Sequence, residues 1–286
     1  MNGGAFRTPG GPMEHRPLIE RSTHLSVQGL RTRVQVQGDG PPLLLINGIW
    51  GELAAWQRLQ PYFNGFRTIS FDGPGIGDTE IPPYPMSLPA LARFALAVLD
   101  AVGEPKAHVL GVSFGGLVAQ QVATIAPDRV DRLVLVSTVS GLVYLPGQPA
   151  ALLQLMTALP TDRSGAAAGR TFGGRIRRDP ALLGRLHLAP PRSVEAYWHR
   201  LSGLTGWWGT PWSIRQPTLV LTGDDDPIVP ATNSRILASL IPGSRLEVVP
   251  GGGHLMMFDS PAEVGPRVAG FLGGAGTRDW TDTLAS

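Results

Sequence analysis

The spacing of apolar residues switches repeatedly between the period of strands and the period of helices. Short apolar or alternating runs predict strands at residues 23–28, 32–37, 43–46, 68–71, 108–112, 133–136, 218–221 and 245–249. Longer stretches with helical spacing predict helices at residues 88–102, 117–126, 234–240 and 261–272. The first two strands flank Gly29-Leu30, which indicates a hairpin. Strands that alternate with helices favour an α/β fold with a mostly parallel sheet and helices on both faces.

This alternation is interrupted once, between residues 141 and 213. Strand-like runs are missing there, arginine and tryptophan accumulate, and Gly and Pro are frequent. We therefore expect a helical cap at residues 141–213, inserted into a core formed by residues 23–140 and 214–272. Residues 1–22 and 273–286 are rich in glycine and lack an apolar period, so we expect flexible tails there.

Composition narrows the classes of protein that the chain can represent. Of its 286 residues, 43% are hydrophobic and 16% are charged, which suits one large domain and excludes a disordered chain. The net charge is +2, and no basic stripe interleaved with aromatics appears, so we expect no nucleic-acid partner. With no cysteine in the chain, disulfides, thiol nucleophiles and thiolate metal sites are excluded.

Membrane and export signals are also missing from the pattern. No apolar run approaches the roughly 20 residues that a membrane-spanning helix needs. The N-terminal stretch is rich in Gly and Pro and lacks the apolar segment of a secretory signal. We therefore expect a cytoplasmic protein without a transmembrane segment.

A candidate nucleophile follows the fifth predicted strand. Residues 111–115 read Gly-Val-Ser-Phe-Gly and match G-x-S-x-G, with an apolar run before them and a helical pattern after them. This is the setting of a nucleophile elbow, in which the serine adopts a strained backbone conformation. Side chains at Gly111 or Gly115 would crowd neighbouring elements. We interpret Ser113 as the nucleophile; the alternative is a tight turn that contains a serine by chance.

A serine hydroxyl needs a base, and the base needs a carboxylate that orients it. Among the six histidines, only His254 follows a late strand, after the glycines at 251–253. Three aspartates follow the strand at 218–221, and we choose Asp226 because it directly precedes a Pro-Ile-Val-Pro run; Asp225 is the second choice. Such a run could also bind a divalent cation. No second acidic cluster accompanies it, so we expect no metal.

An acyl-transfer site also needs two backbone donors for the oxyanion of the tetrahedral intermediate. One is the amide of Phe114, directly after the nucleophile. The other is expected in the Asn-Gly-Ile-Trp turn after the strand at 43–46, where Gly48 lets the backbone approach and the amide of Ile49 would point into the site. A plain structural turn is the alternative for this loop.

With these motifs the chain resembles the α/β-hydrolase superfamily over about residues 25–272. Within it, the chain is most similar to intracellular medium-chain-length poly(3-hydroxyalkanoate) depolymerases. The stretches that carry this likeness are residues 45–49, 71–77, 111–116, 119–121, 143–147, 177–180 and 216–227. The resemblance implies the α/β-hydrolase fold and hydrolysis of ester bonds between 3-hydroxyacyl units, without a cofactor.

Two positions depart from the pattern of these depolymerases. Phe114 stands where tryptophan is expected beside the nucleophile; we expect this change to bear on the acyl pocket and on the choice of polymer substrate, and not on the ester chemistry. Gly252-Gly253 stands where acidic residues are expected before the histidine. Neither departure removes a predicted catalytic residue.

Large aromatic residues are concentrated in the predicted cap. They are Tyr197, Trp198, Trp207, Trp208 and Trp212. They would line an apolar acyl pocket or form a face that lies on a polymer granule, and packing of the cap onto the core is the alternative. Trp50 and Leu255 are further candidate substrate contacts.

The predicted cap also carries arginines at 170, 175, 177, 178 and 185. We interpret them as a solvated face of the cap. The alternative is that they attract the carboxylate at the end of a polymer chain.

The leading hypothesis is a carboxylic-ester hydrolase that acts through an acyl-enzyme on poly(3-hydroxyalkanoate) or related medium-chain hydroxyacyl esters. A small-molecule esterase or lactonase would use the same residues. A cofactor-free perhydrolase would instead pass the acyl group to peroxide. The alternative that is not an enzyme is a protein of the same fold that binds a hydrophobic ligand without catalysis. Haloalkane dehalogenases and epoxide hydrolases are disfavoured because they usually need a carboxylate where Ser113 stands.

Overall fold

A central sheet of eight strands organises the molecule. The computed structural model describes residues 22–49, 51–157, 165–188 and 193–274. The strands are β1 (Thr23–Val27), β2 (Leu30–Gln37), β3 (Pro42–Ile46), β4 (Arg67–Phe71), β5 (Ala107–Val112), β6 (Val130–Val136), β7 (Thr218–Gly223) and β8 (Arg245–Val249). They lie in the order β1-β2-β4-β3-β5-β6-β7-β8.

The sheet is mixed but mostly parallel, as the sequence predicts. β1 and β2 form the antiparallel hairpin, and β2 also pairs antiparallel with β4. All pairs from β4 to β8 are parallel. In β3, Leu44 and Ile46 belong to one apolar core, and Leu43 and Leu45 belong to another. Successive side chains of a strand point to opposite faces, so a continuous apolar run is what a sheet covered on both sides requires.

Helices cover both faces of the sheet. They are α1 (Leu88–Ala101), α2 (Phe114–Ile125), α3 (Pro149–Thr157), α4 (Gly165–Phe172), α5 (Gly174–Arg178), α6 (Val194–Ser202), α7 (Ala231–Leu240), α8 (Met256–Asp259) and α9 (Pro261–Leu272). Apolar residues of α1, α2 and α7 join one core, while those of α8 and α9 join the other. This arrangement confirms the predicted α/β-hydrolase fold class.

The segment between β6 and β7 carries α3 to α6, and its described residues contain no strand beyond a single bridge between Gly51 and Leu188. The division into a core and a cap at residues 141–213 stays a prediction. The predicted tails fall almost wholly outside the described residues. No helix in the described ranges has both the length and the apolar character needed to cross a membrane.

Element boundaries differ from the predicted ones at the site-forming end of the sheet. α2 begins at Phe114 rather than near residue 117, so the helix starts directly after Ser113. The short helix α8, directly after His254 and Leu255, was not predicted. Both differences bring a helix terminus next to a candidate functional residue.

Candidate active site

Ser113 lies in the turn between β5 and α2 and has a backbone conformation that few residues adopt. Its φ is 53° and its ψ is −118°. Non-glycine residues rarely have a positive φ, and such strain clusters at functional sites. A Cβ on Gly111 would collide with the carbonyl of Gly115, and one on Gly115 would collide with carbonyls at the end of β3. The two glycines therefore let the turn pack tightly, as the sequence predicts.

The backbone on both sides of this turn is anchored by the neighbouring strand. The amide of Ser113 donates to the carbonyl of Val136 at 2.8 Å, and the hydroxyl of Thr138 donates to the carbonyl of Ser113 at 2.9 Å. A Cβ on Gly116 would lie 2.6 Å from that of Thr138. Sequence reasoning missed Thr138 because its partner is a backbone group 25 positions away.

Two further predicted residues meet Ser113 at the carboxyl edge of the sheet. Nε2 of His254 lies 3.0 Å from Oγ of Ser113, and Nδ1 of His254 lies 2.8 Å from Oδ2 of Asp226. The other carboxylate oxygen of Asp226 accepts from the amides of Ile228 and Val229, each at 2.9 Å. These are distances at which an imidazole can take a proton from a hydroxyl while a carboxylate orients it.

The other two aspartates of the acidic run have partners of their own. Oδ1 of Asp224 accepts from the amide of Gly251 at 2.6 Å. The carboxylate of Asp225 accepts from the amide of Gly174 and from Nη2 of Arg177, both at 2.8 Å. Asp225, the second choice for the acid, therefore connects β7 to α5.

The loop that carries His254 packs closely against the segment between α4 and α5. The amide of His254 donates to the carbonyl of Phe172 at 2.8 Å. A Cβ on Gly253 would lie 2.7 Å from the carbonyl carbon of Gly173 and closer still to the oxygen of Phe172. An acidic side chain does not fit at position 253, which gives one departure from the depolymerase pattern a steric reason.

The turn after β3 lies beside the elbow. A Cβ on Gly48 would lie 3.5 Å from the Cβ of the elbow serine. Nδ2 of Asn47 donates to the carbonyl of Glu52 at 2.9 Å and holds the turn closed. Across the described ranges, the amides of Ile49 and Phe114 donate no hydrogen bond to the protein, so both are available to a ligand.

Arg200 of α6 also contacts this turn, and sequence reasoning did not select it among the arginines between β6 and β7. Its Nη2 donates to the carbonyl of Gly48 at 3.3 Å, and its guanidinium lies 4.7 Å from the centre of the Phe114 ring. The side chain is buried, with 8% of its surface exposed. Burial lowers the pKa of Arg200 to about 10, so the group remains cationic at neutral pH. No local sequence signal separates it from exposed arginines, since its burial depends on tertiary packing.

A pocket adjoins Arg200 and the turn. Its lining includes Asn47, Phe71, Leu91, Phe94, Phe114 and Arg200. It combines an apolar wall from β4 and α1 with one cationic group. Arg200 therefore offers polar contacts in an otherwise largely apolar cavity.

The predicted substrate contacts lie in different environments. Trp50 and the side chain of Tyr197 lie outside the described residues. Trp198, Trp208 and Trp212 are exposed. Trp207 is half-buried and donates through Nε1 to Oε1 of Gln121 on α2 at 2.7 Å. Leu255 is buried in the core that contains α8. These five described side chains are not among the residues that line the pocket, and their role in substrate binding stays a prediction.

Asp72, directly after β4, holds the backbone of two neighbouring loops. Its carboxylate accepts from the amides of Leu53 at 2.7 Å and Asp78 at 3.0 Å. Burial raises its pKa, partly offset by these two hydrogen bonds. The described residues contain no group of three or more His, Cys, Asp or Glu that could hold a metal ion.

Comparisons with known proteins define the family. The profile of the Alpha/beta hydrolase family matches residues 43–266, and the chain belongs to this family. The poly(3-hydroxyalkanoate) depolymerase of Ectopseudomonas oleovorans is 36% identical over 267 residues, covering 90% of this chain and 93% of that protein. The resemblance to such depolymerases is thereby confirmed.

Solved structures agree on the fold. A meta-cleavage product hydrolase from Pseudomonas fluorescens superposes with a TM-score of 0.78 at 23% identity, covering 90% of this chain and 99% of the other. An enol-lactonase from Burkholderia xenovorans gives a TM-score of 0.75 at 23% identity, covering 88% and 100%. The protein is a hydrolase of the α/β family.

Proposed function

We propose that the protein is a carboxylic-ester hydrolase in which Ser113, His254 and Asp226 form a catalytic triad. The observation that carries this proposal is the continuous line of contacts from Oδ2 of Asp226 through His254 to Oγ of Ser113, at 2.8 and 3.0 Å. The strained backbone of Ser113 supports it, because a nucleophile elbow holds its serine in this way.

In the proposed reaction, Oγ of Ser113 attacks the ester carbonyl and its proton passes to Nε2 of His254. Asp226 holds the imidazole in the required tautomer and stabilises the imidazolium. The tetrahedral intermediate collapses when His254 returns the proton to the departing alkoxide, which leaves an acyl-serine. Water then attacks the acyl-enzyme with the same histidine as base, and the free acid leaves.

The amides of Ile49 and Phe114 are proposed to bind the oxyanion. Support comes from their lack of a protein acceptor within the described residues and from the contact of the Gly48 turn with the elbow. Two preorganised donors at the site of developing charge lower the barrier because they need no reorganisation during the reaction.

The proposed substrates are 3-hydroxyacyl esters of the poly(3-hydroxyalkanoate) class. The similarity to a poly(3-hydroxyalkanoate) depolymerase supports this choice. Exposed large apolar side chains support it as well. Those described between residues 141 and 213 are Leu142, Val143, Tyr144, Leu145, Leu153, Val194, Trp198, Leu204, Trp208 and Trp212. Concentrated exposed apolar surface indicates an interaction site, and a polyester granule in the cytoplasm offers a matching surface. In this proposal residues 141–213 act as the cap that faces the polymer.

Hydrolysis of a p-nitrophenyl acyl ester series, measured beside clearing of a medium-chain polyhydroxyalkanoate latex, tests the proposal. We expect clearing of the latex, a preference for medium acyl chains, and loss of both activities in Ser113→Ala. If the esters are cleaved but the latex stays turbid, the triad assignment would stand and the protein would be a small-molecule esterase or lactonase. Wild-type ester hydrolysis by Ser113→Ala would refute the triad.

A further inference from the structure

Arg200 connects α6 to both residues proposed to bind the oxyanion. Its Nη2 donates to the carbonyl of Gly48 at 3.3 Å. That carbonyl and the amide of Ile49 belong to the same peptide group. Its guanidinium carbon lies 4.7 Å from the ring centre of Phe114, whose backbone supplies the other donor. One side chain therefore touches both halves of the proposed oxyanion hole.

The contact with Gly48 acts on Ile49 through the peptide bond. Because the peptide is planar, a partner that fixes the direction of its carbonyl also fixes the direction of its N–H. A cation hydrogen-bonded to the carbonyl oxygen further polarises the peptide, which makes the N–H a stronger donor. The effect is larger in a buried site because the local dielectric is low.

Arg200 has no carboxylate partner in the described part of the chain. No ion pair there involves its guanidinium, and its buried Nε has no hydrogen-bond partner. Burial of an unpaired cation opposes folding. This positive charge lies beside the turn at which the reaction is proposed to develop negative charge.

Gly73, in the loop after β4, also lies close to the guanidinium. A Cβ at this position would be 2.6 Å from Nη1 of Arg200. Glycine here leaves room for the guanidinium, which packs beside this backbone segment as well as beside the Phe114 ring. These neighbours limit how far the guanidinium can move from the carbonyl of Gly48.

We propose that Arg200 is a positioning residue for the oxyanion hole: it orients and polarises the Gly48–Ile49 peptide and supports Phe114. It follows that the hole is complete only when α6 is seated on the rest of the protein, which couples the position of this helix to catalysis. The inference rests on the proposed function, because the roles of Ile49 and Phe114 are themselves proposed.

The test compares Arg200→Met, which removes the charge at similar length, with Arg200→Lys, which keeps it. Arg185→Met is the matched control, because Arg185 is an exposed arginine in the same inserted segment. Active enzyme is counted by titration with a p-nitrophenyl phosphonate. Then kcat and KM are measured on a soluble p-nitrophenyl ester, together with inhibition by a trifluoromethyl ketone, which forms an anionic adduct with the serine.

We expect Arg200→Met to lower kcat by about 10- to 100-fold per active site, somewhat less than direct loss of one oxyanion donor. KM should stay within about twofold, since the interaction is made in the transition state. Affinity for the trifluoromethyl ketone should fall by the same factor as kcat/KM. Arg200→Lys should recover part of both losses, and Arg185→Met should match the wild type.

Several results would overturn the proposal. One is a kcat for Arg200→Met close to that of the wild type. Another is an effect on KM alone. A third is a loss of activity seen only with esters that carry a free carboxylate, which would make Arg200 a substrate-binding group. If Arg200→Met does not fold, Arg200→Ala is measured with and without added ethylguanidinium. Recovery of kcat and of trifluoromethyl ketone affinity on addition supports the proposal, and a lack of recovery contradicts it. Full activity of Ser113→Ala would instead refute the triad, and the Arg200 proposal would fall with it.

Discussion

Oδ2 of Asp226 lies 2.8 Å from Nδ1 of His254, whereas the carboxylate of Asp225, one position earlier, bonds to Arg177 at 2.8 Å. The chain leaves β7 through this acidic run, and successive side chains turn to different neighbours. One carboxylate reaches the histidine, and the other reaches α5. Adjacent residues of the same type therefore have separable roles.

Substitution of these two aspartates should separate chemistry from packing. Asp226→Asn leaves the geometry nearly intact but favours the wrong imidazole tautomer, so we expect kcat to fall by about 10⁴-fold. Asp225→Asn removes a contact to α5 and should change kcat by less than about tenfold. Steady-state kinetics on a soluble p-nitrophenyl ester measure both. Equal losses in the two variants would contradict the assignment.

The close approach of the histidine loop to the segment after α4 predicts a steric requirement for glycine. Gly253→Ala places a methyl group against the backbone near Phe172 and Gly173, and such overpacking costs about 1–3 kcal/mol. Gly184→Ala is the control because a Cβ there meets nothing within 4 Å. Urea unfolding measures both free energies of unfolding. A fully stable Gly253→Ala variant would show that this contact is looser than described.

His108 should make the protein less stable in mild acid. It lies buried on β5, with its ring 5.9 Å from that of Phe66, and burial lowers its pKa below the ordinary value of 6.5. The unfolded chain therefore binds the proton more readily than the folded one. The stabilising contribution is fully present above the unfolded pKa and is lost as pH falls toward the folded pKa.

Removal of the His108 imidazole should make the free energy of unfolding depend less on pH. Between pH 7.5 and 5.5, His108→Gln should lose less of its free energy of unfolding than the wild type does. Urea unfolding at the two pH values provides the measurement. An identical loss in both proteins would assign the acid sensitivity to other groups.

The exposed tryptophans should matter for polymer binding and not for the chemistry. Trp208 is 71% exposed, and Trp208→Ser should reduce retention of the protein on a polyhydroxyalkanoate latex severalfold. Its kcat/KM on a soluble ester should stay at the wild-type value. Tyr84→Ser is the control, because Tyr84 is 76% exposed but lies outside the segment 141–213. Equal retention of both variants would argue against a polymer-facing role for this segment.

Much of this architecture could be predicted from local patterns. The strand β8 and the helix α9 begin and end at the predicted residues, because each is a single apolar pattern bounded by turn residues. Ser113, Asp226 and His254 could be selected because each follows a predicted strand, and parallel strands bring their carboxyl ends to one edge of the sheet.

Contacts between distant segments could not be predicted in the same way. Arg200 is one arginine among several in its segment, and only packing shows that it is buried against the Gly48 turn. The exclusion of a side chain at Gly253 likewise depends on where the segment after α4 comes to lie. Both features arise because the segment between β6 and β7 approaches the edge of the sheet in the folded protein, and the local spacing of residues does not predict this approach.

The role of Ser113 as the nucleophile is tested most directly by the rate at which a fluorophosphonate labels it, followed by mass spectrometry of the labelled peptide. We expect rapid, stoichiometric modification at Ser113 in the wild type. Labelling should slow by several orders of magnitude in His254→Ala, because the serine then lacks its base. Modification at another residue, or an unchanged rate in His254→Ala, would show that Ser113 and His254 do not act together in this way.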